Sequence, residues 1–291
     1  MNAVAEINTM HATVAVIIPV FNRVQLLGRA LVSVYAQTLL PDEVCVVDDG
    51  STDGAEAYIK EKFPQVIYHY QSNQGVSAAR NTGVAATKSH WLAFLDSDDE
   101  WLPGKLRAQM DALRKQANHR LVHCDEIWIR RGTRVNPGRK HQKGGGLLFE
   151  RCLALCVISP SAVVLERELL SELGGFDESL PACEDYELWL KVCSRYPVLY
   201  VDEPLLRKYG GHEDQLSSKY WGMDRFRVQA LDKLLNSGTL DLKQELATKT
   251  MLIRKSKILM NGAVKRQNTE LAGKYSSLIA RHSVSTQDDK K

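Results

Sequence analysis

Short apolar runs alternate with longer amphipathic segments over the first third of the chain. The apolar runs have the length and composition of buried strands and lie at residues 13–20, 43–47, 66–70 and 91–95. The segments between them have helical periodicity and lie at residues 23–37, 55–62 and 75–86. Strands separated by helices at this spacing predict right-handed βαβ units, so the pattern indicates an α/β fold with a mainly parallel sheet.

The alternation of strands and helices continues to about residue 113 and then gives way to other patterns. Pro103 lies at a predicted helix start, and the inner face of that helix consists of Leu106, Met110 and Leu113. Residues 121–130 begin a strand-rich stretch. Near the end of the chain, Leu246, Ile253 and Met260 recur every seven residues, with Leu252 and Leu259 adjacent to two of them. That spacing predicts a long amphipathic helix.

Composition limits the class of protein. With 291 residues, 44% hydrophobic and 25% charged, the chain has the make-up of a soluble globular protein with a sizeable core. A net charge of +3 argues against a dedicated nucleic-acid binder. The chain has no apolar stretch of spanning length and no signal-peptide pattern in its first eleven residues. The six cysteines form no Cys-x-x-Cys pair, so we expect reduced thiols and a cytoplasmic protein.

The strongest chemical signal is the end of the strand at 91–95, which is followed by Asp96, Asp98 and Asp99. A buried strand that stops in like charges is destabilising unless a cation lies there. Ligands in open parallel sheets bind just beyond the carboxyl ends of the strands. One interpretation is therefore a divalent metal that bridges the protein to a diphosphate. The other is a solvated Asp-rich turn.

A second acidic cluster follows the strand at 43–47, where Asp48 and Asp49 precede a Gly- and Ser-rich segment. Such residues also occur in ordinary turns and helix starts. Between the two clusters, Arg80 falls about one turn inside the helix predicted at 75–86. An arginine opposite two acidic clusters can form a salt bridge with them or contact a phosphate, and both interpretations remain open.

The motifs together resemble family-2 glycosyltransferases of the A-type fold. The motifs that carry this resemblance, in order, are residues 16–22, 46–53, 73–83, 96–99, 174–178, 184–190 and 212–217. The resemblance covers roughly residues 13–220 and implies the A-type glycosyltransferase fold, with a central sheet flanked by helices. It divides residues 1–220 into a nucleotide-sugar-binding half (13–116) and an acceptor and catalytic half (117–220). Residues 221–291 are then a helical C-terminal extension.

The resemblance also implies a donor site. A nucleotide base needs an edge-reading acceptor and an apolar wall, which Asp49 with Pro19 and Phe21 can supply. The matching positions in the family contact uracil. Asp96 matches the residue near the ribose, and Asp98 matches the metal ligand on the diphosphate, for which Mn²⁺ or Mg²⁺ is the fitting ion. We assign Arg80 to nucleotide-sugar binding by the same comparison.

His212 is a further metal candidate. In related enzymes, a histidine in the segment that matches residues 212–217 approaches the metal or the diphosphate. In this chain, the usual Arg-x-His spacing is stretched, and a lone histidine in a Gly-rich segment is often a plain surface residue. We expect Asp99 to cap the turn that leads to Pro103.

Asp185 is the catalytic candidate. Carboxylates are favoured in the first turn of a helix by the helix dipole, which is one explanation for Glu184 and Asp185. Asp185 also shares a helical face with Leu188 and Trp189, so that it lies at the edge of an apolar wall. A carboxylate in that position can act as a general base on an acceptor hydroxyl. The resemblance implies this role, in a single displacement that inverts the anomeric centre.

Two basic segments admit two interpretations each. Residues 130–146 combine six Arg or Lys with five glycines and predict a mobile surface loop, which is either solvated or a lid that favours an anionic acceptor. The helix predicted between 240 and 275 either packs on the domain or docks peripherally on an anionic membrane, which would suit a lipid-linked acceptor. Residues 283–291 predict disorder.

We therefore expect an enzyme that transfers sugar from a nucleotide-sugar donor to a glycan or lipid-linked acceptor, with no nucleic-acid partner. Two rival classes remain at the level of sequence. A sugar-nucleotide pyrophosphorylase would need a Gly-rich phosphate loop after the first strand, which residues 19–23 do not provide. A non-catalytic nucleotide-sugar-binding module would not need both Asp98 and Asp185.

Overall fold

The centre of the sheet is a strand that is buried on both faces. The structure is a computed structural model and describes residues 12–211, 220 and 222–283. All seven residues of β1 (Val14–Val20) are buried. Ala15 and Ile17 belong to one hydrophobic cluster, whereas Val16 and Ile18 belong to another. Because successive side chains of a strand point to opposite faces, the sheet is covered by helices on both sides.

Strands and helices alternate through the donor half as predicted. The other strands are β2 (Glu43–Asp48), β3 (Ile67–Tyr70), β4 (Trp91–Phe94), β5 (Glu100–Trp101), β6 (Leu121–Arg130), β7 (Thr133–Val135), β8 (Val163–Glu166) and β9 (Leu199–Gly210). The helices up to β9 are α1 (Val24–Tyr35), α2 (Ala55–Lys62), α3 (Val76–Ala86), α4 (Lys105–Lys115), α5 (Phe149–Ala154), α6 (Arg167–Glu172) and α7 (Glu184–Cys193). Three further helices follow, namely α8 (Asp224–Asn236), α9 (Leu242–Lys265) and α10 (Thr269–Ser283).

The sheet is parallel in its first half and mixed as a whole. Its strand order is β3-β2-β1-β4-β8-β6-β9-β5, with β7 paired to β6. The strands β1 to β4 pair in parallel, as expected from the βαβ pattern. β8 runs antiparallel to both β4 and β6. Antiparallel neighbours need no crossover helix, so the alternation on which the parallel prediction rested stops after α4.

The C-terminal helices α8 and α9 share a hydrophobic cluster with α7. Asp241 begins α9 with a capping box, since its side chain accepts a hydrogen bond from the Gln244 backbone while the Gln244 side chain accepts one from the Asp241 backbone. Leu252 lies in the same hydrophobic cluster as Trp189 of α7. The predicted stripe is wrong at Leu246, which is 62% exposed, because the helix buries the face that carries Leu252 and Leu259 instead.

Two properties of the described residues bear on earlier expectations. None of their helices is long and apolar enough to cross a membrane. All six cysteines are unbonded, and five of them are buried. Of the tail expected to be disordered, residues 284–291 lie outside the described residues.

The predicted mobile loop at 130–146 is tied to neighbouring strands at both of its ends. β7 forms a hairpin with β6, and Gly146 exchanges two backbone hydrogen bonds with Val198, of 2.8 and 3.0 Å. Lys143 lies inside the protein, where its ammonium is 3.0 Å from the Glu126 carboxylate and donates to the Val157 carbonyl at 2.8 Å. Strand pairing and a buried ion pair, both invisible in the composition, therefore order this segment.

Glu126 is the buried anchor of that segment, with 1% of its side chain exposed. Burial raises the pKa of Glu126, but the charges of Lys208 and Lys143 outweigh burial and bring it to about 2. A carboxylate whose pKa is depressed in the folded state stabilises the fold above its unfolded pKa, and that contribution is lost as pH falls. The Glu126 carboxylate thus stabilises the fold at neutral pH.

We expect Glu126→Gln to lower the free energy of unfolding at pH 7 by about 3 kcal/mol, because it leaves buried ammonium groups without their counter-charge. The difference from wild type should shrink as pH falls below about 4. Urea unfolding at several pH values measures both effects. Glu150→Gln is the control, since the ion pair of Glu150 with Lys243 is exposed and its loss should cost less than about 0.5 kcal/mol. Equal losses in the two variants would contradict this role.

Candidate functional site

The two acidic clusters meet at one edge of the sheet. Asp48 ends β2 beside Val20 at the end of β1, and the backbone N–H of Asp49 donates to the Val20 carbonyl at 2.8 Å. β4 lies on the other side of β1 and leads directly to Asp96. Parallel pairing in register therefore brings the carboxyl ends of three strands together, as the sequence predicted.

Asp49 is held by the start of α3. Its Oδ1 accepts hydrogen bonds from the Gln71 side chain at 2.8 Å and the Gln74 backbone at 2.9 Å, and its Oδ2 accepts from the Gly75 backbone at 2.8 Å. A carboxylate has about four acceptor positions, so one remains for a ligand. The neighbouring Asp48 has a structural role, because it accepts from the Ser51 backbone and the Tyr68 hydroxyl, both at 2.7 Å.

The predicted apolar wall divides into a buried part and an exposed part. Pro19 is buried within β1, whereas Phe21 lies just beyond the strand and is 46% exposed. Asn22 follows with a positive φ of 51°, and its side-chain oxygen accepts from the Thr52 backbone at 2.8 Å. This bond joins the loops after β1 and β2, so Phe21 is presented from a fixed turn beside Asp49.

Arg80 connects the donor half to the catalytic candidate. Its guanidinium donates to Asp96 Oδ1 at 2.8 Å and to Glu184 Oε1 at 2.6 Å, and the side chain is 3% exposed. Burial raises the pKa of Glu184 although the charge of Arg80 acts against it. Of the two interpretations of Arg80, the structure places it in the salt bridge. It joins helix α3, the strand end at Asp96 and the first turn of α7.

Asp98 is buried and faces cations from α1. Its Oδ2 lies 2.8 Å from the Arg23 guanidinium, and its backbone carbonyl accepts from Arg29. Among the described residues, no group of three or more His, Cys, Asp or Glu side chains is arranged to hold a metal ion. An oxygen-seeking ion of the Mg²⁺ type needs only one or two carboxylates when a substrate diphosphate supplies the other ligands. Asp98 fits that requirement in chemistry and in position.

The sequence predicted that Asp99 caps the turn toward Pro103, and this prediction is wrong. Its carboxylate accepts from the Ser161 hydroxyl at 2.6 Å and from the Tyr209 backbone at 3.0 Å. Burial, followed by the nearby charges of Asp96 and Asp98, raises the pKa of Asp99 well above its usual range. Asp99 therefore ties the end of β4 to β9 in the acceptor half.

Lys208 is a site residue that the sequence analysis missed. Its ammonium donates to the Ser159 hydroxyl at 2.9 Å. Burial lowers the pKa of Lys208, but the surrounding carboxylates raise it above its ordinary value, and these carboxylates are Glu126, Asp99, Asp96 and Asp185. The residue thus remains charged between the two halves of the site. No distinct signal in the sequence marks Lys208, because the same strand also carries Asp202, Glu203 and Arg207.

Asp185 lies at the edge of the apolar wall that the helical face predicted. Leu188 and Trp189 are fully buried, whereas Asp185 is partly exposed in the first turn of α7. One carboxylate oxygen accepts from the Tyr186 backbone at 2.6 Å, and the other accepts from the Cys156 thiol at 3.3 Å. The Cys156 contact was not predicted, since nothing in the sequence places residue 156 beside residue 185.

The segment that contains the remaining candidate, His212, lies outside the described residues. The described site therefore consists of an edge at Asp49 and Phe21, a carboxylate cluster at Asp96 and Asp98, and a partly exposed carboxylate at Asp185. The buried guanidinium of Arg80 and the half-buried ammonium of Lys208 lie between these parts and hold them in one arrangement.

Comparisons with known proteins agree with this geometry. S. aureus TarS, solved in complex with UDP-GlcNAc, has a TM-score of 0.68 and 20% identity, with 84% of this chain and 71% of TarS covered. The mannosyltransferase PcManGT from Pyrobaculum calidifontis, solved with GDP-Man and Mn²⁺, has a TM-score of 0.59 and 20% identity, covering 94% and 85% of the two chains. At these identities the likeness establishes the fold, which is the A-type glycosyltransferase fold.

Sequence relatives give the family. An uncharacterized glycosyltransferase of Rickettsia typhi is 30% identical over 216 residues, which are 72% of this chain and 68% of the relative. Chondroitin synthase of Escherichia coli is 27% identical over 194 residues, but only 28% of that protein is covered. Residues 15–174 match the family described as "Glycosyl transferase family 2". These matches set aside a sugar-nucleotide pyrophosphorylase and a non-catalytic binding module. The chain belongs to glycosyl transferase family 2 and is a glycosyltransferase.

Proposed function

We propose that this glycosyltransferase is metal-dependent and inverting, and that it moves a sugar from a UDP-sugar to a hydroxyl group of a glycan or lipid-linked acceptor in the synthesis of a bacterial-type surface polysaccharide or lipopolysaccharide. The observation that carries the proposal is the double ion pair of Arg80 with Asp96 and Glu184. It holds the strand end assigned to the donor against the first turn of α7, where Asp185 is the next residue.

The donor assignment rests on the one hydrogen-bond acceptor position that remains at the Asp49 carboxylate. One acceptor position of its carboxylate remains after its three hydrogen bonds, which suits the single imide N–H of uracil. Phe21 supplies an exposed aromatic face next to that position. Fold neighbours bind UDP-GlcNAc in one case and GDP-Man in another, so both nucleotides belong in a donor screen.

The metal assignment rests on Asp98. Mn²⁺ or Mg²⁺ would be held by the Asp98 carboxylate, and when bound it would neutralise charge on the nucleoside diphosphate leaving group. Arg23 occupies one oxygen of Asp98, so ion and guanidinium would share the carboxylate or the guanidinium would move aside. A structural neighbour contains Mn²⁺ beside its nucleotide sugar, which supports the choice of ion.

The chemical step rests on Asp185. Its carboxylate would take the proton of the acceptor hydroxyl while that oxygen attacks the anomeric carbon from the face opposite the diphosphate. The Cys156 thiol and the Tyr186 N–H each hold one carboxylate oxygen and so fix its direction. Lys208, which stays protonated among the carboxylates, adds positive charge on the side where the diphosphate would depart.

The metal assignment predicts that Asp98→Asn weakens Mn²⁺-dependent UDP binding by about 1.5–3 kcal/mol, because the variant keeps the shape but loses a charge-assisted contact. Calorimetry with and without Mn²⁺ measures this change, and binding without the ion should alter little. Asp111→Asn, at a surface pair with Arg114, is the matched control. Unchanged Mn²⁺-dependent affinity in Asp98→Asn would show that Asp98 is not a ligand.

The base assignment predicts that Asp185→Asn lowers turnover on the order of 10²–10⁴-fold, mostly in kcat, because proton removal matters only in the transition state. Donor affinity should change by less than about 0.5 kcal/mol. Steady-state kinetics and UDP calorimetry separate the two effects. The proton spectrum of the wild-type product should show an anomer opposite to that of the donor, and retention would refute the mechanism. A near-normal kcat in Asp185→Asn would show that another residue is the general base, and Glu184 would be the next candidate.

The role of Arg80 predicts that Arg80→Met destabilises the protein by about 3–5 kcal/mol at pH 7.5, since the buried Glu184 carboxylate and the partly exposed Asp96 carboxylate lose their counter-charge. The loss should be smaller at acid pH, because protonation then removes the charge on Glu184, whose pKa is raised by burial. Urea unfolding at the two pH values measures it. Arg114→Met, at an exposed pair, should cost less than about 0.5 kcal/mol. A loss that does not depend on pH would argue for packing rather than charge.

A further inference from the structure

A surface rich in unpaired cations lies next to the site. We define the basic hairpin as residues 130–140, whose cations are Arg130, Arg131, Arg134, Arg139 and Lys140, all of them exposed. No Asp or Glu occurs between residues 127 and 149. Within the described ranges, none of the five cations forms an ion pair. Their charge is therefore available to a ligand.

The basic hairpin has a defined backbone. Arg130 pairs with Thr133 across the β6–β7 ladder, so the turn between them consists of two residues. Both turn residues have positive φ, 48° at Arg131 and 76° at Gly132, as the tight turn that matches strand twist requires. The chain that follows is anchored by the buried pair of Lys143 with Glu126. A sixth cation, Lys143, is thus buried in an ion pair, whereas the other five cations are exposed.

The register of the sheet places this surface beside the reaction centre. Trp128, three residues before the turn, pairs with Lys208 of β9, and the next residue of β9 bonds to Asp99. Neighbouring strands lie about 4.8 Å apart and residues within a strand about 3.4 Å apart. The backbone of the first cation, Arg130, is therefore within roughly 10 Å of the Asp99 carboxylate.

The base of the hairpin also offers an aromatic surface. The rings of Trp128 and His141 lie 5.0 Å apart and are tilted by 58°. The guanidinium of Arg130 lies over the Trp128 ring at 5.6 Å. Amphipathic rings with neighbouring donors suit a sugar, which presents an apolar face together with hydroxyl groups.

We propose that the basic hairpin binds the acceptor and that this acceptor is an anionic glycan, with carboxylate or phosphate groups on the sugars next to the one that is glycosylated. This inference rests on the proposed function, since a glycan must approach Asp185 from outside the donor site. A membrane surface fits less well, because the turn from Arg130 to Arg134 carries no apolar side chain to insert. A net charge of only +3 disfavours a nucleic acid.

The test is calorimetric binding of charged and neutral oligosaccharides to the whole chain. The carboxylate probe is an oligogalacturonate, the phosphate probe is a phosphorylated dextran, and the neutral control is a maltodextrin of similar length. We expect binding of a charged probe but not of maltodextrin. Raising salt from about 50 to about 300 mM should weaken the binding, because exposed charges are screened over roughly 8 Å at physiological ionic strength.

The hairpin variant is Arg134→Ser with Arg139→Ser and Lys140→Ser. We expect it to bind the charged probe about tenfold less tightly, which corresponds to about 1.4 kcal/mol. Its thermal unfolding and its Mn²⁺-dependent UDP affinity should match wild type. The control variant removes three exposed cations of α9 and so changes the net charge equally. Its substitutions are Arg254→Ser, Lys257→Ser and Lys265→Ser. It should bind the probe as wild type does.

Three results would overturn the inference. These are unchanged binding in the hairpin variant, equal weakening in the two variants, and tighter binding of phosphatidylglycerol vesicles or single-stranded DNA than of either charged glycan. Failure of the proposed function is separate from these results, because it would appear as absent UDP binding or absent donor turnover in the wild-type protein. Preference for one charged probe over the other identifies the anionic group.

Discussion

The guanidinium of Arg80 is the one interaction on which the arrangement of the site depends. It reaches Asp96 just after β4 and Glu184 at the start of α7 while almost entirely removed from water. A buried arginine with two hydrogen-bonded carboxylates is stable only when all three groups stay in place, because losing one leaves an uncompensated charge. The geometry that puts Asp185 near the donor edge therefore follows from charge compensation, and the backbone of α7 is oriented by it.

The same principle explains how a chain can gather several carboxylates at one sheet edge before any ligand arrives. Arg23 faces Asp98, Arg80 faces Asp96, and Lys208 lies among the remaining acidic groups. Asp99, which has no guanidinium of its own, is the member whose pKa burial and its neighbours raise well above its usual range. Part of the negative charge at this edge is thus offset, and an arriving diphosphate would meet cations that are already positioned around it.

Most of the fold was predictable, because it depends on local periodicity. The strands β1 to β4 and helices α1 to α4 appear as apolar runs and helical faces in the sequence. The partners of individual side chains were not predictable, because they depend on which strands become neighbours. Asp99 was expected to cap a local turn, yet it bonds across the sheet to Ser161 and Tyr209. Lys143 reads as a loop residue, but it is buried against Glu126.

The end of the family match along the chain has a consequence for α7. The family match ends at residue 174, before α7, while α7 shares its hydrophobic cluster with residues of α8 and α9. The contacts of α7 therefore come from both portions of the chain, since Arg80 and Cys156 lie within the matched residues and α8 and α9 lie beyond them. Any exchange of the portion beyond residue 174 thus alters the surroundings of α7 while the strands β1 to β4 stay the same. The exchange must keep a carboxylate at position 184, because Arg80 would otherwise lose its partner in the interior.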